Sequence, residues 1–154
     1  NPAEKVISII ESHGIPYRMI KIEITESVLA ESRQELEEFI DLMHAKGAEV
    51  SLDDFGTGYC NLVSVLSMDV DVIKLDKSLL WAAQKDQKTA IMMKSLARSV
   101  HELGMRVVSE GVETDEQRAF AEECCCDWIQ GYYYAKPMPG EDAKRFLAER
   151  IEKS

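Results

Sequence analysis

The sequence predicts an α/β fold in which helices cover a parallel β-sheet. Two observations support this prediction: five apolar, strand-like segments alternate with amphipathic, helix-like segments, and the apolar segments end in polar or charged residues. Such alternation is typical of βαβ units, in which a crossover helix returns the chain to the same end of the sheet. Parallel strands are buried on both faces, which explains why the segments are largely apolar.

Each element is predicted from a local signal. A helix begins at the chain start, with Asn1 as its N-cap and Pro2 at its first position, and ends at Gly14 and Pro16. The later elements, in chain order, are predicted as a strand over 17–25, a helix over 31–46, a strand over 48–54, a shorter helix over 60–68, a strand over 70–76, a helix over 86–103, a strand over 105–111, a helix opening at the capping box 114–117, a strand over 127–134 and a helix over 141–152.

Composition narrows the functional classes. The chain has 154 residues, 45% of them hydrophobic, which suits one domain with a sizeable core. Its net charge of −10 argues against binding to a DNA or RNA polymer or to an anionic membrane. The cysteines, Cys60 and 124–126, include no CxxC pair, so we expect reduced thiols and a cytoplasmic location. The capped start without Met is expected of a domain within a longer protein, which could be membrane-anchored through another region.

Polar residues recur at the ends of the predicted strands. In chain order they are Glu23, Asp53 with Asp54, Lys74, Glu110 and Gln130, with Glu26 and Glu113 lying just beyond two of the strands. In parallel sheets of this class, ligands bind beyond the carboxyl ends of the strands. For any single position, a loop residue that meets water is the simpler interpretation. The shared placement of the set favours a common site.

The carboxylates of that set indicate a metal site. Glu23, Asp53, Asp54 and Glu110 would repel one another strongly without a compensating cation. Mg²⁺ and Mn²⁺ are hard cations that prefer carboxylate oxygen. Four carboxylates exceed the needs of one typical Mg²⁺ ion and suit two ions about 4 Å apart, the arrangement used for phosphoryl displacement. The adjacent aspartates can then serve two neighbouring metals.

Five motifs, in this order, resemble the EAL family of cyclic di-guanylate phosphodiesterases. They are EITES at 23–27, DDFGTGY at 53–59, IKLD at 73–76, SEGVET at 109–114 and QGYYYAKPMP at 130–139. The resemblance covers nearly the whole chain. It implies a (β/α)₈ barrel of the TIM type that hydrolyses cyclic di-guanylate to linear pGpG with two divalent metals, Mg²⁺ or Mn²⁺.

The resemblance also implies that the chain is an incomplete barrel. The complete fold has roughly 250 residues, so residues 1–154 are expected to be the C-terminal part of one EAL-type domain, with about five βα units. The segment with the glutamate–alanine–leucine motif is absent from the sequence. A downstream metal-binding asparagine and an early substrate-binding arginine belong to the missing part as well.

Roles for individual residues follow from the same resemblance. The implied metal ligands are Glu23, Asp53, Asp54 and Glu110, the last at the second metal and counted with Lys74 as catalytic. Lys74 would contact or orient the attacking water. Gln130 and Glu113 would bind or support substrate or water, and Glu26 would hold the loop that follows Asp54.

Two hypotheses about function stay open at this point. In the first, the parent protein is an active, metal-dependent cyclic di-guanylate phosphodiesterase in bacterial second-messenger signalling, and this chain alone is inactive because ligands are missing. In the second, it is a catalytically inactive EAL-type receptor module that binds the same nucleotide. A purely structural role is a third, weaker alternative. Open sheet edges also predict a homodimer or other self-association, and the parent could carry GGDEF or sensory domains.

Overall fold

The computed structural model describes residues 2–25, 28, 33–57 and 68–151. The described strands are β1 (Lys21–Thr25), β2 (Glu49–Phe55), β3 (Val72–Leu75), β4 (Arg106–Ser109) and β5 (Trp128–Ile129). The described helices are α1 (Pro2–Ser12), α2 (Arg33–Lys46), α3 (Lys77–Ala83), α4 (Gln87–Glu102), α5 (Asp115–Glu123) and α6 (Gly140–Ile151), with a 3₁₀ turn at Tyr17–Met19.

The five described strands form one parallel sheet whose spatial order is the order of the chain, β1-β2-β3-β4-β5. A doubly wound sheet reverses its strand order at a switch point, whereas a (β/α)₈ barrel keeps it sequential. Among the described strands, β1 and β5 each have one neighbour, so the described sheet has two open edges. The fold is therefore α/β and consistent with an incomplete barrel, as predicted.

One face of the sheet packs against helices and forms the core. Its strand side chains are almost completely buried and include Val50, Leu52, Ile73, Leu75 and Val107. Helices α2 and α4 cover them with Ile40, Met43, Met93, Ala97 and Val100. Because strand side chains alternate between faces, the intervening residues point to the opposite, concave face. That face carries the charged residues described below.

The strand predicted over 127–134 was wrong in its second half. The strand β5 ends at Ile129, and Tyr132–Tyr134 lie in a turn. The backbone N–H of Tyr133 donates to the carbonyl of Val112 at 2.9 Å, so the chain folds over the end of β4. A Cβ at Gly131 would lie 2.0 Å from the same carbonyl oxygen, and only glycine permits this close approach.

Two further differences concern local signals. The strand predicted over 17–25 begins only at Lys21, because the 3₁₀ turn follows Pro16. Helix α3 was not predicted; Asp76 caps it by accepting a hydrogen bond from the backbone N–H of Ser78 at 2.8 Å. Asn1 and most of the helix predicted over 60–68 lie outside the described residues. Among the described helices, none has both the length and the apolar character needed to cross a membrane.

Candidate metal centre

Lys74 lies at the centre of a charged cluster on the concave face. Its side chain is 7% exposed, and its Nζ lies 2.9 Å from Glu23 Oε1, 2.8 Å from Asp53 Oδ1 and 2.9 Å from Glu110 Oε1. These three carboxylates come from β1, β2 and the residue directly after β4. Parallel pairing brings the carboxyl ends of the strands to one edge of the sheet, which is why residues so distant in sequence meet there.

The electrostatics of this cluster keep Lys74 charged. Burial alone would lower the pKa of its ammonium group, but its close contacts with Asp53, Glu110 and Glu23 outweigh burial and raise that pKa. For Glu110 the balance is the opposite: burial raises the pKa of its carboxyl group, repulsion from Asp53 and Asp54 adds to the rise, and Lys74 opposes it. The cluster therefore holds more negative charge than one ammonium group neutralises.

Asp54 joins the same end of the sheet through an irregularity in β2. Consecutive strand residues normally point to opposite faces, but the pairing of β2 with β3 shifts between Leu52 and Phe55. Asp54 has a φ of 58°, in the left-handed region. As a result, one carboxylate oxygen from each of Asp53, Asp54 and Glu110 lies within 4.8 Å of the other two.

The donor set fits a hard divalent cation. All three side chains offer carboxylate oxygen, the ligand that Mg²⁺ and Mn²⁺ prefer. The Oδ1 of Asp53 is buried and, apart from its close ion pair with Lys74, finds no well-directed hydrogen-bond donor in the described part of the chain. A buried oxygen of this kind is available to a metal. We call Glu23, Asp53, Asp54, Lys74 and Glu110 the carboxyl-end cluster.

A cavity of about 460 Å³ opens along the concave face, from Glu23 and Lys74 at the carboxyl ends of the strands to Lys21, Glu49 and Trp128 near their amino ends. Glu23, Lys74, Gln130 and Tyr134 are among the residues that line it. Its volume is in the range of small-molecule binding sites. The structure therefore brings Gln130 to the same cavity as Lys74, although β5 itself ends one residue earlier.

The sequence also singled out Glu113 and Glu26. Glu113 is exposed, and its backbone N–H donates to Gln117 Oε1 at 2.7 Å, which is part of the start of α5 rather than of the cavity. Glu26 lies outside the described residues. The role of each stays a prediction.

A second charged cluster lies at the opposite end of the strands and was not predicted. Lys21 Nζ lies 2.8 Å from Glu49 Oε1, and the guanidinium of Arg106 donates to Glu49 Oε2. Both cations also lie against the ring of Trp128, at 4.6 Å and 4.9 Å from its centroid. The sequence did contain a signal for it, because residues separated by an even number of positions along a strand share a face. Lys21 lies two residues before Glu23, and Glu49 lies four residues before Asp53. We call Lys21, Glu49, Arg106 and Trp128 the amino-end cluster.

The amino-end cluster balances its charges differently. Burial alone would raise the pKa of Glu49, but its close contacts with Lys21 and Arg106 outweigh burial and lower that pKa below its usual range. Glu49 is therefore ionised and paired on both sides. Its Oε1 lacks a well-directed hydrogen bond among the described residues, so its contact with Lys21 is an ion pair rather than an aligned hydrogen bond.

Comparison with known proteins decides the family. Residues 2–137 match the EAL domain. The chain belongs to the EAL domain family. A curated relative, the cyclic di-GMP phosphodiesterase NbdA of Pseudomonas aeruginosa, is 31% identical over 147 residues, which is 94% of this chain and 18% of that protein. This EAL chain thus spans about a fifth of the length of that relative, and the motif-based family prediction is confirmed.

Solved structures support the same assignment. The EAL domain of Mycobacterium smegmatis DcpA is similar with a TM-score of 0.86 and 30% identity, covering 96% of this chain and 66% of that one. The manganese and cyclic di-GMP complex of Klebsiella pneumoniae BlrP1 is similar with a TM-score of 0.78 and 25% identity, covering 87% of this chain and 34% of that one. Both similarities extend over most of this chain, and both leave part of the larger fold unmatched.

Proposed function

We propose that this chain is part of a metal-dependent phosphodiesterase that hydrolyses cyclic di-guanylate to linear pGpG in bacterial second-messenger signalling. The observation that carries the proposal is the carboxyl-end cluster, in which Lys74 contacts three carboxylates beside a cavity. The relative NbdA, a cyclic di-GMP phosphodiesterase, supports the substrate class.

The residues of the carboxyl-end cluster would have two roles, metal binding and hydrogen-bond donation. Asp53, Asp54 and Glu110, together with Glu23, would hold two ions of Mg²⁺ or Mn²⁺. When bound, such ions polarise a phosphoryl oxygen and activate water. Lys74 presents an ammonium group that can donate hydrogen bonds to a phosphate oxygen or a water, and its three carboxylate contacts hold that group in place.

Gln130, the residue directly after β5, completes the proposed site. Its amide can both donate and accept hydrogen bonds, and it lines the cavity that Lys74 also lines. We assign it to substrate or water support. Glu113 remains a proposed supporting residue, and Glu26 a proposed loop-stabilising residue.

We propose that the 154-residue chain is inactive by itself. It spans 57% of the length of a solved phosphodiesterase–cyclic di-GMP complex that it resembles with a TM-score of 0.83 and 26% identity, and the remaining strands of such a fold would add ligands. Metal affinity depends on ligand number and geometry. An incomplete ligand set should therefore bind metal weakly and turn over no substrate.

A receptor that binds cyclic di-guanylate without cleaving it is the second candidate. The observation in its favour is that Lys74 itself neutralises part of the carboxylate charge, so the cavity can form without a metal. An enzyme and a receptor differ in turnover, which a direct assay measures.

The test compares the chain with its longer parent in Mn²⁺ buffer, with pGpG measured by chromatography. We expect turnover by the parent, none by the chain, and loss of parental turnover in Asp53→Asn. Asp69→Asn is the control, since Asp69 is 89% exposed at the other end of the sheet. Nucleotide binding by the parent without cleavage would establish the receptor instead. Parent-like turnover by the chain alone would contradict its proposed inactivity.

We further propose that the isolated chain associates with a second copy in the cytoplasm. Strands β1 and β5 are open edges, and exposed edges and apolar surface favour pairing. Trp128 and Tyr134 leave aromatic surface exposed near β5, and Cys124–Cys126 are free thiols, as expected in a reducing compartment. Light scattering at micromolar concentration should show a dimer or larger species, and a stable monomer would contradict this.

A further inference from the structure

A histidine, an aspartate and a backbone N–H form one three-way contact at the amino end of β2 and β3. The Nε2 of His44 lies 2.9 Å from Asp71 Oδ2. The same oxygen accepts a hydrogen bond from the backbone N–H of Val50 at 2.8 Å. In return, the backbone N–H of Asp71 donates to the carbonyl of Val50 at 2.8 Å. We call His44, Val50 and Asp71 the first clasp.

The same contact recurs between β4 and β5. The Nε2 of His101 lies 2.8 Å from Asp127 Oδ2, which also accepts from the backbone N–H of Val107 at 2.7 Å. The backbone N–H of Asp127 donates to the carbonyl of Val107 at 2.9 Å. We call His101, Val107 and Asp127 the second clasp.

The two clasps arise from matching local sequences. Each histidine lies in the last turn of a helix, α2 or α4. In each case a glycine follows three residues later, Gly47 or Gly104, and the clasp valine comes three residues after that glycine. Both glycines adopt positive φ, 86° and 83°, which ends the helix and turns the chain into the next strand. The same arrangement of histidine, glycine, valine and aspartate therefore occurs twice in the fold.

The clasps occur at the two ladders whose pairing is interrupted or short. The ladder between β1 and β2 has five regular pairs, and the ladder between β3 and β4 has four. The ladder between β2 and β3 has three pairs with a register shift after the second, and the ladder between β4 and β5 has two pairs. Each clasp adds a side-chain and a backbone hydrogen bond to one of these two short ladders, and so fixes its register.

Register matters here because each short ladder carries a residue of the proposed site. Lys74 follows Asp71 by three residues, and Gln130 follows Asp127 by three. A slip of one residue turns every side chain of a strand to the opposite face. For β3, that slip would move Lys74 from the carboxylates of the concave face into the apolar core.

We propose that Asp71 and Asp127 are positioning residues that fix the register of β3 and β5, so that Lys74 and Gln130 face the cavity. The register assignment stands on the contacts alone, and its consequence for catalysis rests on the proposed function. Neither aspartate touches the carboxyl-end cluster. Each acts through the strand that it starts.

The ionisation of the second clasp supports this account. Burial alone would raise the pKa of Asp127, but hydrogen bonds from the Val107 N–H and from His101 outweigh burial and lower that pKa. The carboxylate is therefore charged. Hydrogen bonds to a charged acceptor are shorter and stronger than those between neutral groups.

The experiment uses Asp71→Ala, Asp71→Asn and the control Asp69→Ala in the isotopically labelled chain. Asp69 lies two residues away and its Oδ2 is 3.7 Å from the Nδ1 of His44, so its removal changes local charge and leaves the clasp hydrogen bonds. The readout is the NMR signal of the Lys74 ammonium group, assigned with Lys74→Gln. A buried, hydrogen-bonded ammonium group exchanges its protons slowly and gives a resolved signal, whereas an exposed one does not.

We expect Asp71→Ala to lose the Lys74 signal while circular dichroism shows a folded chain. Asp71→Asn should restore the signal, because its amide oxygen can accept both clasp hydrogen bonds, and Asp69→Ala should keep it. Retention of the signal in Asp71→Ala would overturn the assignment. An unfolded Asp71→Ala chain would also overturn it, since the residue would then hold the fold rather than place Lys74, and failure of Asp71→Asn would exclude the hydrogen-bond explanation.

Mn²⁺ titration of the same variants separates this inference from the proposed function. Asp71→Ala should bind Mn²⁺ more weakly than Asp71→Asn and Asp69→Ala, by about tenfold, the lower bound for groups that orient metal ligands. If no form of the chain binds Mn²⁺, the metal-based function fails while the NMR result still decides the role of Asp71.

Discussion

At the carboxyl end of the sheet, one ammonium group contacts three carboxylates and a fourth lies beside two of them, whereas at the amino end two cations share one carboxylate. The carboxyl-end cluster has a formal excess of three negative charges, and the amino-end cluster a formal excess of one positive charge. The amino-end cations also lie against the ring of Trp128, which favours cations through its quadrupole. The charges of the amino-end cluster are thus nearly balanced by one another, whereas those of the carboxyl-end cluster leave a negative excess that a cation would balance.

The lysine of the carboxyl-end cluster is also more deeply buried than the lysine of the amino-end cluster. Lys74 is almost completely buried, whereas the side chain of Lys21 is 60% exposed. Partly exposed ion pairs contribute little to stability, because water already solvates the separated charges. Buried pairs contribute little net stability either, but removing one partner from them is strongly destabilising. Stability measurements can therefore tell the two ends apart.

The largest expected effect is the loss of Lys74. In Lys74→Ala, three carboxylates lose their common counter-charge, and the free energy of unfolding should fall by about 3 kcal/mol, the lower end for a broken buried pair. In Lys21→Ala the fall should stay below about 1 kcal/mol, since that ion pair is largely exposed. Urea denaturation of both variants without metal measures the difference. Equal losses would remove the distinction between the two clusters.

Glycines supply the next comparison. A Cβ at Gly131 would lie 2.0 Å from the carbonyl oxygen of Val112, so Gly131→Ala must displace backbone beside Gln130. Overpacking of this kind costs about 1–3 kcal/mol, to be measured as a lower urea midpoint. Gly140→Ala is the matched control, because the added Cβ would have no described heavy atom within 4 Å apart from its chain neighbours and its own helix backbone. A Gly131→Ala chain as stable as Gly140→Ala would show that the turn after β5 adapts freely.

Metal affinity tests the charge excess directly. Asn tolerates the left-handed φ of Asp54 and has nearly the same shape, so Asp54→Asn should stay folded while losing one charge. We expect its Mn²⁺ affinity to fall by at least about tenfold, since even groups outside the ligand shell cost that much. Glu49→Gln, at the amino end, should leave the affinity unchanged. A Mn²⁺ titration followed by electron paramagnetic resonance checks both, and an equal fall in Glu49→Gln would mean that Mn²⁺ responds to overall charge alone.

Sequence reasoning predicted the parts of this structure that depend on short-range signals. The alternation of strands and helices, the capping box at Thr114 and the placement of Glu23, Asp53 and Lys74 at one end of the sheet followed from periodicity and parallel pairing. The local conformation of Asp54 could not be predicted in this way, because hydrophobic periodicity does not indicate a left-handed residue or a register shift.

Long-range polar contacts were also beyond the sequence. The clasp between His44 and Asp71 joins residues 27 positions apart, and Arg106 reaches Glu49 across 57 positions. Considered alone, each of these residues would be predicted to lie in a loop or at a strand end, in contact with water. The turn at Tyr132–Tyr134 was predicted as strand because aromatic residues favour strands, whereas the hydrogen bond from Tyr133 to Val112 decides its conformation.

The smallest expected effect concerns acid stability at the amino end. Because the folded-state pKa of Glu49 is lowered, its ionised form stabilises the fold at pH values above its unfolded pKa of about 4.3. That contribution is lost as the pH falls through the folded-state pKa. Glu49→Gln lacks this contribution, so at neutral pH the free energy of unfolding of the wild type should exceed that of the variant by less than about 1 kcal/mol. This gap between the two free energies should close in acid. Urea denaturation across pH 3 to 7 measures this.

Glu35→Gln, which removes an exposed carboxylate from the first turn of α2, is the control for a change in net charge. A gap that persists unchanged at pH 3 would mean that Glu49 contributes through packing rather than through its charge.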